Sequence, residues 1–457
     1  MKRRENRLRV SETSADQAGE GSDRRSVVVI GEGDLSDETA RAVEASGARV
    51  FRLPEPTQDD VREALSCGVD SVAVVGRADA IVLRWALMVR AVSGEVPLLL
   101  TIFDATMAQE VAGEWPNTHV TSLADIVAPS LAGPCIDRSF TSVTIDDGRP
   151  VGLVESAGDV REQPIPSRKP HRVQAIARDL VTPYDKSAGL LLFGALGLLA
   201  MLAVEAVTAA LVLDQPIVEA IYGSAKTLMT VDSNLEVLAG PGWYMLFTSG
   251  TMLVAFVLAA GFTAGLVNRV IDQRLTGLFG RRAVPRRDHV VVVGLGQVGL
   301  RLCLLLRECG IPVVAVEEDR EGENVGRAKE LGLPVVLGRG ADQSLLCRLS
   351  LERATAVAAV TVNDIENIAV AMTARAINDR MHVVLRVGDG EVASETRSLL
   401  ALGLVRDVHR IAAVLLAARA LGREAESVVC LGDEAHLRFP EGRLESADLD
   451  TLEGSGG

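Results

Sequence analysis

The residues from 289 to 319 read HVVVVGLGQVGLRLCLLLRECGIPVVAVEED, and this stretch decides the fold. An apolar run of strand length leads into Gly294, Gly296 and Gly299, which satisfy the pattern GxGxxG at the opening of a helix. A second apolar strand follows and ends at Glu317. Strand, glycine loop, helix, strand and acid in this order predict a Rossmann-type βαβ unit in a parallel sheet.

Each residue type in this unit has a physical task. Gly294 allows the tight turn, Gly296 lets the backbone approach a pyrophosphate, and Gly299 lets the helix pack closely. The helix N-terminus offers N–H groups and a positive dipole end to the anion. Glu317 follows Gly294 by 23 residues and is placed to accept hydrogen bonds from ribose hydroxyls, which favours NAD(H) over NADP, with another adenine nucleotide as the alternative. The predicted nucleotide-binding residues are Gly294, Gly296, Gln297, Val298, Gly299, Glu317 and Thr361.

The N-terminal region repeats this pattern in a degenerate form. At a constant offset of 263, the matched glycines are Gly31, Gly33 and Gly47 against Gly294, Gly296 and Gly310. At an offset of 285, the matched residues are Val72, Asp79 and Asp104 against Val357, Asp364 and Asp389. The difference is a deletion of 22 residues between the second and third strands of the first copy. Ser36 replaces the third glycine and Pro54 replaces the acid, so we expect this copy to pair with the second rather than bind a dinucleotide.

Two long apolar runs lie between the copies. Residues 188–213 carry one charge, Glu205, and residues 242–267 carry none. Each run would form a helix of about 39 Å, which exceeds the roughly 30 Å hydrocarbon core of a bilayer. They predict two membrane spans, because globular helices rarely run so long without a charged face. An acid inside a span is a candidate functional residue. Lys226 is a candidate partner of Glu205, and the alternative is that Glu205 reaches the outer interface or bonds Thr208.

Basic residues flank the two spans on one side. The segments 161–187 and 268–287 each hold six Lys or Arg residues, whereas the connector 214–241 holds only Lys226 against four acids. By the positive-inside rule, both termini are cytoplasmic and the connector is outside. We therefore expect a multi-pass protein of the cell membrane.

The connector has the pattern of a re-entrant segment. Asp214 can cap a helix and Pro216 suits a first helical turn, and residues 217–229 then predict a helix too short to span. Non-helical backbone at membrane depth is tolerated only where protein buries it or where it lines an aqueous path. The candidate pore residues that follow are Thr230, Val231, Asp232, Ser233 and Asn234.

Composition narrows the function classes. The net charge of −14 disfavours nucleic acid as a partner, because phosphate binding needs a basic footprint. Six cysteines without a CxxC pair give no support to a zinc or thiol redox site, and we predict no metal ligands. Tyrosines occur only at positions 184, 222 and 244, outside both Rossmann regions. A Tyr/Lys dehydrogenase pair cannot form there, so we predict no catalytic residues and no enzymatic activity.

Residues 288–415 resemble the RCK/KTN family, the regulators of K⁺ conductance, also described as TrkA-N-like. The resemblance rests on VVVVGLGQVG, then VVAVEED, then LGLPVVLGRGADQSLLCRLSLERATAVAAVTVNDIENIAVAMTARAIN, then VVLRVGD. Two spans with a pore-helix connector directly before such a domain resemble ligand-gated two-span potassium channels. The resemblance implies a nucleotide-responsive cytoplasmic assembly that acts on pore-lining helices, in a homotetramer with four filter loops.

The chain departs from this family at two places. Gly338-Arg339 follows the third strand where the family often has Gly-Asp, which bears on the identity of the ligand. The family filter is TVGYG, whereas this chain has TVDSN from Thr230, so both glycines that help to aim carbonyls at K⁺ are replaced. High K⁺ selectivity is therefore not predicted. Two interpretations stay open: a nucleotide-regulated cation (potassium) channel or transport component, and a non-conducting dinucleotide sensor.

The predicted fold class is two duplicated α/β Rossmann-like domains flanking a two-helix transmembrane pore-like domain. The predicted segments are a disordered basic N-terminus (1–25), a degenerate RCK-like domain (26–155), a basic linker (156–187), the pore-like domain (188–267), a second basic linker (268–287), the RCK/TrkA-N NAD-binding domain (288–420) and an acidic C-terminal segment (421–457) with a short strand at 427–431. The expected partners are the lipid bilayer, other copies of the chain and a monovalent cation, not nucleic acid.

Overall fold

The computed structural model describes most of the chain. Its described residues are 9–10, 24–146, 148–156, 159–165, 186–228, 237, 240–275, 287–399, 402–432, 434–440 and 442–447. The fold divides into two compact units, of which one combines Met1–Arg168 with Gly280–Gly457 and the other is Lys169–Phe279. The combined unit contains two similar halves, which we call the first lobe (residues 26–164) and the second lobe (residues 290–446).

The first lobe is a doubly wound parallel sheet followed by a small antiparallel sheet. Its strands are β2 (Ser26–Ile30), β3 (Arg49–Leu53), β4 (Ser71–Val74), β5 (Leu98–Thr101), β6 (Thr118–Thr121), β7 (Phe140–Asp146), β8 (Arg149–Ser156) and β9 (Asp159–Pro164). Its helices are α1 (Asp34–Ala45), α2 (Gln58–Ser66), α3 (Asp79–Val92), α4 (Ala105–Glu114) and α5 (Leu123–Ile136). The parallel strands lie in the order β3-β2-β4-β5-β6. Strands β2, β4 and β5 are buried along their whole length, which explains their continuous apolar sequences.

The second lobe repeats this architecture. Its strands are β10 (Val290–Val293), β11 (Val313–Glu317), β12 (Val335–Leu337), β13 (Ala356–Ala359), β14 (Val383–Val387), β15 (Leu404–Asp407), β16 (Ser427–Leu431), β17 (Glu434–Arg438) and β18 (Leu444–Ser446). Its helices are α9 (Gln297–Glu308), α10 (Val325–Glu330), α11 (Gln343–Arg348), a 3₁₀ turn (Leu351–Arg353), α12 (Asp364–Ile377), α13 (Gly390–Leu399) and α14 (Val408–Ala420). The strands lie in the order β12-β11-β10-β13-β14-β15, so successive strands are added on one side of β10 up to β12 and on its other side from β13 onward. The carboxyl ends of β10 and β13 therefore border the crevice where doubly wound sheets bind ligands.

The two lobes differ at one sheet edge. In the second lobe, β12 pairs in parallel with β11, and the deletion in the first copy removes its counterpart. A short strand, β1 (Arg9–Val10), pairs antiparallel with β3 instead, with Arg9 opposite Arg52. The prediction of disorder from residue 1 to residue 25 is thus wrong at β1, because the open edge of β3 offers unpaired backbone groups that another strand can use.

Each parallel sheet is followed by a three-stranded antiparallel sheet, β7-β8-β9 in the first lobe and β16-β17-β18 in the second. Strand β9 lies inside the range that we assigned to the basic linker (156–187), and β17 and β18 lie inside the acidic segment (421–457), so both predicted boundaries need correction. Charged residues in these strands obscure the apolar pattern that would predict them from the sequence. Gly148 and Gly432 form the turns between strands, with positive φ angles of 72° and 57°.

The two lobes share one apolar core. Helix α5 packs on α9, and α14 packs on α1. One cluster of buried side chains includes Val43 of α1, Val127 of α5, Leu302 of α9 and Leu416 of α14. Helices α5 and α14 are buried on nearly every side. Because an apolar helix must be covered all round, each lobe needs the other to bury its last helix.

The unit from Lys169 to Phe279 contains three described helices. They are α6 (Lys186–Val212), α7 (Ile217–Leu228) and α8 (Gly242–Leu275), and they pack on one another. Within α6 and α8, Phe193–Val212 and Gly242–Ala264 are long and apolar enough to cross a membrane. These helices agree closely with the predicted spans 188–213 and 242–267 and the predicted pore helix 217–229.

Candidate functional site

The glycine loop between β10 and α9 is tightly packed at Gly294 and Gly299 and open at Gly296. Gly294 has a φ of 96°, and a Cβ atom there would lie 2.8 Å from the backbone N and Cα of Thr361. A Cβ at Gly299 would lie 1.9 Å from the carbonyl oxygen of Gly294. A Cβ at Gly296, in contrast, would meet no heavy atom within 4 Å. The fold therefore requires the two outer glycines, and the middle one faces open space in front of the helix.

The N-terminus of α9 presents backbone donors to this space. Gly296 is the N-cap residue and has no side chain that could satisfy the first N–H groups of the helix. Val298 is only 3% exposed and belongs to the core, so only its backbone can face a ligand. The arrangement matches an anion site at a helix N-terminus, where the dipole and the N–H groups favour phosphate.

Glu317 is fixed at the end of β11 beside the loop. Its Oε2 accepts a hydrogen bond from the backbone N–H of Leu295 at 2.7 Å. Its Oε1 accepts from the N–H groups of Glu318 and Asp319 at 2.9 and 3.1 Å. Backbone donors thus orient the carboxylate. Oε1 uses both of its lone pairs, and Oε2 retains one that could accept from a ribose hydroxyl.

Thr361 packs against Gly294 and is held by Asn367, a residue that the sequence did not predict for the site. The Thr361 N–H donates to Oδ1 of Asn367 at 2.9 Å, and Nδ2 of Asn367 donates to the carbonyls of Thr361 and Arg386, both at 3.0 Å. Asn367 is fully buried. The available signal was an amide on the buried face of an otherwise apolar helix, where a polar group needs partners.

The first lobe contributes to one wall of this site. Nε2 of Gln297 donates to the backbone carbonyl of Arg77 in the first lobe at 3.1 Å. Arg386, on β14, is 5% exposed, and its Nε has no hydrogen-bond partner among the described residues. Burial, followed by the charge of Arg77, lowers the pKa of Arg386 to about 10. Even so, the guanidinium stays charged at neutral pH and adds positive potential beside the crevice.

The structure brings the predicted nucleotide-binding residues together at one loop. Gly296, Gln297, Glu317 and Thr361 lie at its accessible side, and Gly294, Val298 and Gly299 are buried. At the departure from the family pattern, Arg339 lies 3.6 Å from the carboxylate of Glu318. Within the described ranges, no group of three or more His, Cys, Asp or Glu side chains is arranged to hold a metal ion.

The corresponding loop in the first lobe is built differently. Ser36, at the position of the third glycine, donates its hydroxyl to the carbonyl of Gly31 at 3.0 Å. The first turn of α1 carries Asp34 and Asp37, and Pro54 replaces the acid of the second lobe. Carboxylates in the first turn of a helix offset its positive dipole end and repel a phosphate. This geometry supports the expectation that the first lobe does not bind a dinucleotide.

The predicted pore residues 230–234 lie outside the described residues. Glu205 lies on α6 and is 1% exposed, and its Oε2 has no hydrogen-bond partner among the residues that the structure describes. Lys226, on α7, places its Nζ 5.7 Å from the ring centre of Tyr222. The pairing of Glu205 with Lys226 stays a prediction.

Comparison with known proteins identifies the second lobe. Residues 290–405 match the model of the TrkA-N domain family, so the chain contains a TrkA-N domain and the resemblance drawn from the sequence is confirmed. The chain is 22% identical over 140 residues to potassium channel protein 1 of Methanocaldococcus jannaschii, which is 29% of this chain and 42% of that protein. It thus spans less than half the length of that relative.

Two further similarities have a wider extent. The chain is 29% identical to the Trk system potassium uptake protein TrkA of Streptomyces coelicolor over 168 residues, which is 36% of this chain and 68% of that protein. A solved structure described as the GsuK RCK domain covers 88% of this chain and 77% of its own, with a TM-score of 0.47 and 12% identity.

Proposed function

We propose that this chain is a membrane protein in which a dinucleotide bound to its TrkA-N domain controls the movement of potassium or another monovalent cation. The observation that carries this proposal is the open space in front of Gly296, with Glu317 fixed beside the loop. The same chain has two helices that are long and apolar enough to cross a membrane. Relatives named as a potassium channel protein and a potassium uptake protein support the link to potassium transport.

The ligand of the crevice is an adenine dinucleotide, with NAD(H) preferred. TrkA-N is a dinucleotide-binding domain, and the helix N-terminus at Gly296 suits a pyrophosphate. Glu317 suits the ribose diol and would repel the 2′-phosphate of NADP. The crevice offers groups that bind and orient a ligand, and we propose a regulatory role for it rather than an enzymatic one.

The membrane arrangement is part of the same proposal. Six basic residues on each side of the span pair put both lobes in the cytoplasm and the connector outside. Two spans enclose no ion path alone, so the chain acts as a homotetramer. Light scattering of the detergent-purified chain should give the mass of four copies, and a single-copy mass would contradict the proposed assembly.

A second candidate function is a dinucleotide sensor on the same scaffold that conducts no ions. The replacement of both filter glycines by Asp232 and Asn234 favours it, because glycines permit the backbone angles that aim stacked carbonyls at K⁺. The two candidates share the nucleotide site and differ only in ion flux.

Calorimetric titration of the full chain in detergent tests the nucleotide site. NADH should bind the wild type, and Glu317→Ala should weaken binding by roughly 1–3 kcal/mol, the scale of a hydrogen bond to a charged group. Glu318→Ala is the matched control, because its carboxylate lies on the next residue and contacts Arg339 instead. Equal affinity in the wild type and Glu317→Ala would place the ligand elsewhere.

A further inference from the structure

Three ion pairs that join described residues of the two lobes share one polarity. At three places the acid belongs to the first lobe and the arginine to the second. The pairs are Asp125–Arg301 at 2.5 Å, Asp104–Arg327 at 3.2 Å and Glu162–Arg438 at 2.6 Å. They lie on different elements, from the helices of the shared core to the small antiparallel sheets. The polarity is therefore a property of the whole contact rather than of one helix pair.

The duplication makes the charged residues of the two helix contacts equivalent in position. Asp125 is the third residue of α5, and Arg410 is the third residue of α14, the equivalent helix of the second lobe. Arg301 is the fifth residue of α9, and Glu38 is the fifth residue of α1. Helix α5 packs on α9, and α14 packs on α1. By this equivalence, Glu38 and Arg410 occupy in the second contact the places that Arg301 and Asp125 occupy in the first. Glu38 also lies 2.8 Å from Arg41 of its own helix.

Pairing of like lobes would bring like charges together. Two second lobes joined by the same helices would place Arg301 against Arg410, and two first lobes would place Glu38 against Asp125. The apolar parts of α5 and α14 offer no such discrimination, since both helices are buried on nearly every side. Like charges brought together in an interface suppress the wrong partner, so the charges can decide which lobes join.

We propose that this charge polarity is a pairing code that directs each first lobe to a second lobe and keeps like lobes apart. The partner of the first lobe is the second lobe of the same chain. The code matters because several copies of the chain in one membrane would bring many similar lobes within reach of one another. The pairing code does not depend on nucleotide binding or on ion flux, so it can be tested separately from both.

Two buried thiols report on this interface. Cys135 on α5 and Cys303 on α9 are both fully buried in the shared core. Burial raises the pKa of Cys303 to about 12, so this thiol reacts only when the lobes separate. Cys67 and Cys347 are exposed and serve as internal standards in the same sample.

The test uses the full chain in detergent, with N-ethylmaleimide labelling followed by mass spectrometry. The variant D125R/R410E places like charges at both helix contacts and makes each lobe complementary to itself. We expect its Cys135 and Cys303 to label about fivefold to tenfold faster than in the wild type, and its particle mass by light scattering to rise. The variant D125R/R410E/E38R/R301E reverses all four charges. It restores opposite charges at both contacts and like charges between like lobes, so it should label within about twofold of the wild type.

Wild-type labelling in D125R/R410E would overturn the proposal. Fast labelling that the fourfold variant does not reverse would show a local packing defect and would also overturn it. Fast labelling with an unchanged particle mass would show that the charges stabilise the lobe contact without selecting the partner. That result would contradict a pairing code.

Discussion

The substitution Gly296→Val separates nucleotide binding from folding. A Cβ at Gly296 meets no heavy atom within 4 Å, and its φ of −68° is open to any L-residue. Valine is a poorer N-cap than glycine, so we expect a loss of at most about 1 kcal/mol in the free energy of unfolding. Its methyl groups would instead fill the space where a pyrophosphate approaches the backbone. We expect NADH affinity to fall at least about 100-fold, or about 2.7 kcal/mol.

Two other glycines provide controls for this experiment. Gly33 is the equivalent residue of the first lobe, has no heavy atom within 4 Å of its added Cβ, and has a φ of 90°. Gly33→Val should cost about 1–3 kcal/mol of stability, because a φ of 90° with a ψ of 176° is a conformation that only glycine adopts readily, and it should leave NADH binding intact. Gly294→Ala should impair folding, because its Cβ would lie 2.8 Å from the backbone of Thr361. Calorimetry gives the affinities and intrinsic fluorescence gives the melting temperatures. A folded Gly296→Val variant that binds NADH within about threefold of the wild type would refute the reasoning.

Three further predictions concern topology, pH and the pore. Single cysteines at Asp232→Cys and Pro285→Cys should react with an impermeant thiol reagent from the cell exterior only at 232, and the reverse would exclude the proposed orientation. Burial lowers the pKa of His289, whose Nε2 contacts the carbonyl of Leu349 at 3.0 Å. As the pH falls, the imidazole is therefore protonated in the unfolded state, near pH 6.5, before it is protonated in the folded state. Stability should be fully present above that pH and should fall as the pH drops below it, and the fall between pH 7.5 and 5.5 should be smaller in His289→Gln. If the chain conducts, Asp232→Asn should lower cation flux and shift its pH dependence, because a ring of carboxylates attracts cations and repels itself into partial protonation; strong K⁺ selectivity of the unmodified chain would contradict the filter argument.

The parts of the site that were predictable depend on local sequence. The turn at Gly294, the open position at Gly296 and the acid at Glu317 belong to one βαβ unit, in which spacing along the chain determines spacing in the fold. The two apolar helices were equally visible, because an uncharged run of that length has few other uses. The offsets of 263 and 285 also revealed the duplication and the missing edge segment.

The remaining features depend on contacts between distant residues. Asn367 clamps Thr361 and the carbonyl of Arg386, three places that only the folded sheet brings together. Strand β1 joins a sheet whose edge was exposed by a deletion more than forty residues away. The ion pair between Asp125 and Arg301 joins residues of different lobes. No hydrophobic period or motif records such long-range pairings, so the sequence alone left them undetermined.

The most direct test of nucleotide-controlled ion movement is potassium flux through the purified chain in liposomes, measured with and without NADH on the cytoplasmic side. We predict that NADH changes the flux of the wild type several-fold and leaves that of Gly296→Val unchanged. An equal response of the two proteins to NADH would contradict control through the TrkA-N domain. Absence of flux from both, under conditions in which the wild type binds NADH, would contradict the transport function and favour the sensor.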